Sequence, residues 1–145
     1  MLFNEFCEQC ALLEKTPSRI DKRNILFAVL QDCDIDEIKQ LFYFFIGLLP
    51  YQNTLNNNLA EKTLLSVLIE EHNKIKPEKI QKMLQAIGDI GLLAKELCQN
   101  KQYSLLEVDY IYAVIWEIHN IAGKDSKEKK SNLIAKMLSL LSPLE

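Results

Sequence analysis

Between Leu105 and Ala122 the chain carries only three charged residues, Glu107, Asp109 and Glu117. The apolar residues there are Leu105, Leu106, Val108, Tyr110, Ile111, Tyr112, Ala113, Val114, Ile115, Trp116, Ile118 and Ile121. A helix with almost no polar face has to be enclosed by other helices. Ser104 and Glu107 stand at the spacing at which a hydroxyl and a carboxylate satisfy free N–H groups at a helix entrance, so the helix is expected to begin there. Gly123 is expected to end it. Trp116 should then be largely buried, at a cost of about 3 to 5 kcal/mol for its replacement by Ala.

The rest of the chain has the same character. Thr16-Pro17 places a cap before a proline at a first helical position, and Ile20, Ile25, Leu26, Val29 and Leu30 are expected to form one buried stripe. Asp34 and Glu37 make another capping pair, opening an aromatic-rich helix that runs to Gly47. An asparagine-rich loop spans Pro50 to Asn58, a helix carries Leu64 to Ile69, and Pro77 opens a segment broken at Gly88-Asp89 and continued by a short helix from Ile90 to Leu97. After Gly123 a lysine-rich start leads into Leu133, Ile134, Met137, Leu138 and Leu141 at helical spacing. About seven helices and no strand make the fold class all-α, in a compact bundle forming a single domain over residues 1–145.

Composition narrows the function. Apolar residues make up 48% and charged residues 26%, with 4 Gly and 4 Pro, the profile of a globular helical protein. The most apolar run, Leu41 to Leu49, is far below the ~20 residues that cross a bilayer, and Glu5 and Glu8 stand where a signal peptide would be basic. An intracellular location, cytoplasmic or nuclear, without membrane attachment is expected. Cys7 and Cys10 form a C-x-x-C, yet Cys33 and Cys98 are isolated and His72 and His119 stand alone, so a zinc site is not expected. Cys7 and Cys10 share a helix face with Phe3, Phe6 and Leu13, and read as small buried hydrophobes in a reducing compartment. Neither histidine has a nucleophile beside it, and no phosphate-cradling glycine loop occurs. No catalytic residue, metal ligand or cofactor is expected in this chain.

Charge placement is more informative than total charge. Lys15, Arg19, Lys22 and Arg23 against Asp21 give +3, and Lys124, Lys127, Lys129, Lys130 and Lys136 against Asp125 and Glu128 give another +3. That leaves −9 on the remainder of a chain whose total is −3. Each cluster lies at an expected helix start beside a serine, Ser18 or Ser126, where free N–H groups and the helix dipole favour anions. Several such contacts together suit a nucleic-acid backbone.

These segments resemble a family. Ser18-Arg19-Ile20-Asp21-Lys22, continuing to Leu26, is similar to the S-R-x-x-K-x-x-x-L segment in the N-terminal DNA-binding domain of ATP-dependent DNA ligases of the eukaryotic and archaeal type. Leu48-Leu49-Pro50 resembles that family's L-x-P, Gly88-Asp89-Ile90-Gly91 its G-D-L-G, and Ser104 to Val108 its T-L-x-E-V. Gly123-x-x-Ser126-x-x-x-Lys130 resembles its G-x-x-S-x-x-x-K, and Ser142-Pro143-Leu144-Glu145 its S-P-x-E.

The resemblance implies a non-catalytic module that contacts duplex phosphates around a nick from the minor-groove side, without reading sequence, through Ser18, Arg19, Lys22, Gly123, Lys124, Ser126, Lys127, Lys129 and Lys130. It implies a ligase catalytic core as partner within the parent protein, ATP and magnesium for that parent, and a monomer. The adenylylation signature K-x-D-G-x-R does not occur here, so the chain is not expected to seal a nick alone, and it resembles a truncated form of the family domain. The alternative is a helical protein-interaction module in which the exposed part of Leu41 to Leu49 docks a partner.

Overall fold

A computed structural model describes residues 1–46, 61–98 and 102–145. Gly47, Leu48-Leu49-Pro50 and the Pro50 to Asn58 loop lie outside the described residues. Among the described residues eight helices follow in order: α1 (Phe3–Lys15), α2 (Arg19–Leu30), α3 (Ile35–Ile46), α4 (Glu61–Glu71), α5 (Pro77–Ile87), α6 (Ile90–Leu97), α7 (Val108–Asn120) and α8 (Ser126–Leu140). The fold is all-α as expected, with one helix more than the sequence suggested. Among the described residues the only extended pairing is an antiparallel bridge between Leu2 and Glu107, and no helix is long and apolar enough to cross a membrane.

Three apolar clusters make the interior. Phe3 and Phe6 of α1, Val29 of α2, Leu41 of α3, Val108 and Ile111 of α7, and Leu141 form the first. Val67 of α4, Ile118 of α7 and Ile134 of α8 form the second, and Leu68, Ile80 and Leu93 join α4, α5 and α6 in the third. Adjacent residues Val67 and Leu68, about 100° apart around α4, thus enter two different clusters. Leu138 of α8 packs on both the second and the third cluster. The phenyl rings of α1 and α3 interlock, with Phe6 and Phe45 centroids 5.1 Å apart in an edge-on arrangement.

The apolar helix is central, but it is neither as long nor as enclosed as its composition implies. It begins at Val108, not near Ser104. The N–H of Phe3 donates to Leu106 O at 2.7 Å and the N–H of Val108 to Met1 O at 3.1 Å, so the backbone before α7 is held extended against the N-terminal segment. Ser104 does not cap α7; its hydroxyl and N–H bond to the Glu145 carboxylate, the latter at 3.1 Å. The outward side of α7 carries Asp109, Tyr110, Ala113, Glu117 and Asn120. Trp116 is half-buried, its ring 6.1 Å from that of His119. The fully enclosed positions are Val108, Ile111 and Ile118, and α7 ends at Asn120, three residues before Gly123.

Two other helix boundaries also differ. Thr16 closes α1, its hydroxyl donating to Leu12 O at 2.8 Å, while Ser18 caps α2 by accepting from the Asp21 N–H at 3.3 Å. Pro17 therefore precedes the cap. Ile20 is not part of the buried stripe of α2: it is 63% exposed, because it lies on the opposite side of the helix from Val29. The junction at Gly88-Asp89 stands where the sequence puts it. Gly88 ends α5 with φ +76°, and the Asp89 carboxylate caps α6 by accepting from the Leu92 N–H at 2.8 Å. Asp34 likewise accepts from the N–H groups of Asp36 and Glu37, both at 2.9 Å.

Glu37 turns its own carboxylate to the Met1 ammonium group. That hydrogen bond raises the amine pKa above its ordinary 8.0, against an opposing effect of burial. A pKa raised by folding contributes stability that is complete below about pH 8 and fades as pH climbs through the folded value. Glu37→Gln should therefore lower the melting temperature by about 3 °C near neutral pH, as for a loss of about 1 kcal/mol, with the gap closing in alkaline buffer. Thermal scans across pH test this. Gly88→Ala should cost about 1 to 2 kcal/mol in denaturant titrations, because the left-handed φ strains an L side chain although no atom lies within 4 Å of a Cβ there.

Candidate nucleic-acid interface

The first basic cluster is built on the entrance to α2. Once Ser18 has capped the helix, Arg19 becomes the first helical residue and points to solvent, while Lys22, one turn on, is half-buried with its backbone N–H donating to Ser18 O at 3.0 Å. Arg23 is exposed and reaches Asn24 Oδ1 at 3.3 Å. The cap and the two cations thus come from one S-R-x-x-K segment.

The second cluster surrounds the entrance to α8, which is built differently from the expectation. Ser126 does not cap the helix; it is the first helical residue, its N–H donating to Gly123 O at 3.3 Å. Asp125 holds the cap position in a left-handed conformation, φ +63°, and its side chain makes no capping bond. Gly123, at φ +87°, supplies the other left-handed step. Two left-handed residues reverse the chain over three positions, and glycine and aspartate are both among the residues that tolerate that conformation. The first-turn N–H groups of α8 are consequently left without a side-chain acceptor, the situation that suits an anion. Lys124, Lys127 and Lys129 are exposed and Lys130 is half-buried.

Neither cluster is neutralised internally. Among the described residues the ion pairs are Met1 with Glu37 and Lys39 with Asp36, and no lysine or arginine of either cluster takes part in one. The clusters occupy different parts of the bundle, since α2 packs on α1 whereas α8 packs on α4 and α7. No hydrogen bond or ion pair among the described residues links one cluster to the other.

The cysteines give no competing chemistry. Cys7, Cys10 and Cys33 pack, half-buried, against the first apolar cluster. Burial pushes the Cys7 thiol up to about 12, with Cys10 and Glu145 adding to the effect, and it raises Cys10 and Cys33 as well. The Cys33 thiol donates to Val29 O at 3.1 Å. Among the described residues no group of three or more His, Cys, Asp or Glu side chains could hold a metal ion.

The family described as DNA ligase N terminus matches residues 2–145. The chain belongs to that family. It is 29% identical to the DNA ligase of Methanocaldococcus jannaschii, with all of this chain and 27% of the relative aligned. It is likewise 27% identical to a probable DNA ligase of Dictyoglomus turgidum, over 99% of this chain and 24% of that protein. A probable DNA ligase of Persephonella marina is 29% identical, over 100% of this chain and 25% of the relative. This ligase N-terminal chain thus spans about a quarter of the length of the curated relatives it matches.

Sequence reasoning missed one feature. Phe27 and Ile20 of this ligase N-terminal domain are 69% and 63% exposed on the outward side of α2. The signal was available, because Ile20, Ile25, Leu26, Phe27, Val29 and Leu30 are more apolar positions than one stripe of a helix can hold. For the cysteines, Cys7 in the folded domain should resist alkylation by a maleimide at pH 8, since its thiolate is scarce, and should react at the rate of a free thiol in denaturant; fast labelling of the folded chain at Cys7, read by mass spectrometry, would contradict its placement.

Proposed function

We propose that this chain is the DNA-gripping module of an ATP-dependent ligase, holding duplex DNA around a nick by its phosphate backbone from the minor-groove side. Membership of the ligase N-terminal family supports the setting. The observation that carries the contact is the entrance to α8, where an uncapped first turn and the unpaired Lys124, Lys127, Lys129 and Lys130 coincide. Ser18, Arg19 and Lys22 give a second attachment point. Gly123 and Ser126 shape the α8 entrance in place of a capping residue.

Because the remainder of the chain is strongly acidic, DNA approaches these two faces and is repelled elsewhere, which orients it without reading bases. In this reading the duplex is the partner in trans and the catalytic portion of the parent protein the partner in cis. The chain acts as a monomer inside the cell, and ATP and magnesium serve that catalytic portion. A second reading has an observation of its own: Ile35, Phe42 and Ile46 lie exposed on one side of α3, a face suited to a protein partner, although Leu41 is fully buried and residues 47–49 lie outside the described residues.

Fluorescence anisotropy with nicked duplexes of unrelated sequence in low salt tests the DNA reading. Lys130→Ala should weaken binding about equally for all sequences and flatten the plot of log affinity against log salt by about one unit. Arg19→Ala should behave likewise. Salt-independent binding, or none, by the unmodified chain would leave the clusters as solvated surface and favour the protein-docking face of α3.

A further inference from the structure

The outward side of α2 combines properties that stability alone does not favour. Phe27 and Ile20 face solvent, 69% and 63% exposed, while Lys22 is half-buried toward the bundle. Helices packed for stability place these residue types the other way round. Arg23 and Asn24 lie one turn before Phe27 on the same side, and Arg19 stands at the helix start. Asp21 is the only acid on the helix, and no arginine or lysine here takes part in an ion pair among the described residues. An apolar side chain set among guanidinium groups that no carboxylate neutralises matches a surface that offers both phosphates and apolar faces.

We propose that Phe27 is an apolar wedge that enters the base stack at the nick, with Arg19 and Arg23 attached to the flanking phosphates. The proposal rests on the DNA-gripping reading and adds to it the source of selectivity for a nick. Phosphate contacts fix position on a nicked or a continuous duplex without probing the base stack. An inserted apolar side chain probes it. Opening a base step costs unstacking energy, and the cost falls where one strand is interrupted, because the step can part without stretching that strand. The same logic makes damaged or unpaired bases the easiest to extrude. Ile20 stands two turns away, about 10 Å along the axis, too far to enter the same step. It lies against the sugars of the groove, leaving a single wedge.

Two duplexes of identical sequence, one nicked and one continuous, provide the test at low salt. The unmodified chain should prefer the nicked duplex by about tenfold, the order expected for one base stacked on an aromatic ring. Phe27→Ser should abolish that preference while leaving the salt slope unchanged, and Phe27→Trp should keep it. Because the side chain is exposed, Phe27→Ser should melt with the unmodified chain, which a thermal scan verifies. A fluorescent adenine analogue beside the nick should brighten on binding the unmodified chain and not Phe27→Ser. Equal affinity of the unmodified chain for both duplexes, or an undiminished preference in Phe27→Ser, overturns the wedge while the salt-dependent grip stands. Loss of salt-dependent binding to either duplex overturns the grip and the wedge together.

Discussion

The bundle depends on burying one side of α7 in two apolar clusters at once. Val108 and Ile111 enter the cluster shared with α1, α2 and α3, and Ile118, two turns further on, enters the cluster shared with α4 and α8. Each such side chain is worth about 1.5 to 3 kcal/mol when fully enclosed. Joining two clusters through one rigid helix makes the N-terminal helices and the α4 to α6 portion answer to the same axis. A polar tie reinforces the contact, since the Gln40 amide donates to the Asp109 carboxylate at 2.6 Å across α3 and α7.

The segment before α7 is where local and tertiary demands compete. Ser104-Leu105-Leu106-Glu107 could begin a helix with a side-chain cap, and in isolation its pattern favours one. The N-terminal segment offers backbone partners at Leu106 and Val108, and the Glu145 carboxylate takes both polar groups of Ser104 along with the Ser142 N–H at 2.8 Å. Burial resists ionisation of Glu145, yet these hydrogen bonds outweigh it and hold its pKa below the ordinary 4.5. The clip therefore adds stability above that pH and loses it as acid protonates the carboxylate. Leu105, 85% exposed, shows the cost of this arrangement in uncovered apolar surface.

A negative body with two positive faces follows from the same architecture. The clusters sit at helix entrances, so side-chain cations stand beside the positive end of a helix dipole, the arrangement on which the proposed phosphate grip rests. At α8 the aspartate in the cap position makes no capping bond, leaving the first turn open, whereas at α2 Ser18 uses its hydroxyl on the Asp21 N–H. The two sites are therefore not equivalent: α8 offers free amides with lysines, and α2 offers arginines beside exposed apolar side chains.

Local chemistry was legible in the sequence wherever one residue decides a backbone state. Gly88 and Asp89 mark a junction because only a left-handed glycine followed by a capping carboxylate ends one helix and starts the next so abruptly. The Asp34 cap was readable for the same reason, the all-helical class from apolar spacing and the two basic clusters from charge placement, while the family was read from a resemblance of motifs. Which side of a helix faces inward was not, because it depends on partners far away in the chain. Trp116 and Ile118 are equally apolar neighbours, yet only Ile118 meets Val67 and Ile134. Ile20 and Phe27 were left to solvent because Val29 is the residue that α2 turns into the first cluster, and the hundred degrees between successive residues put the other side outward.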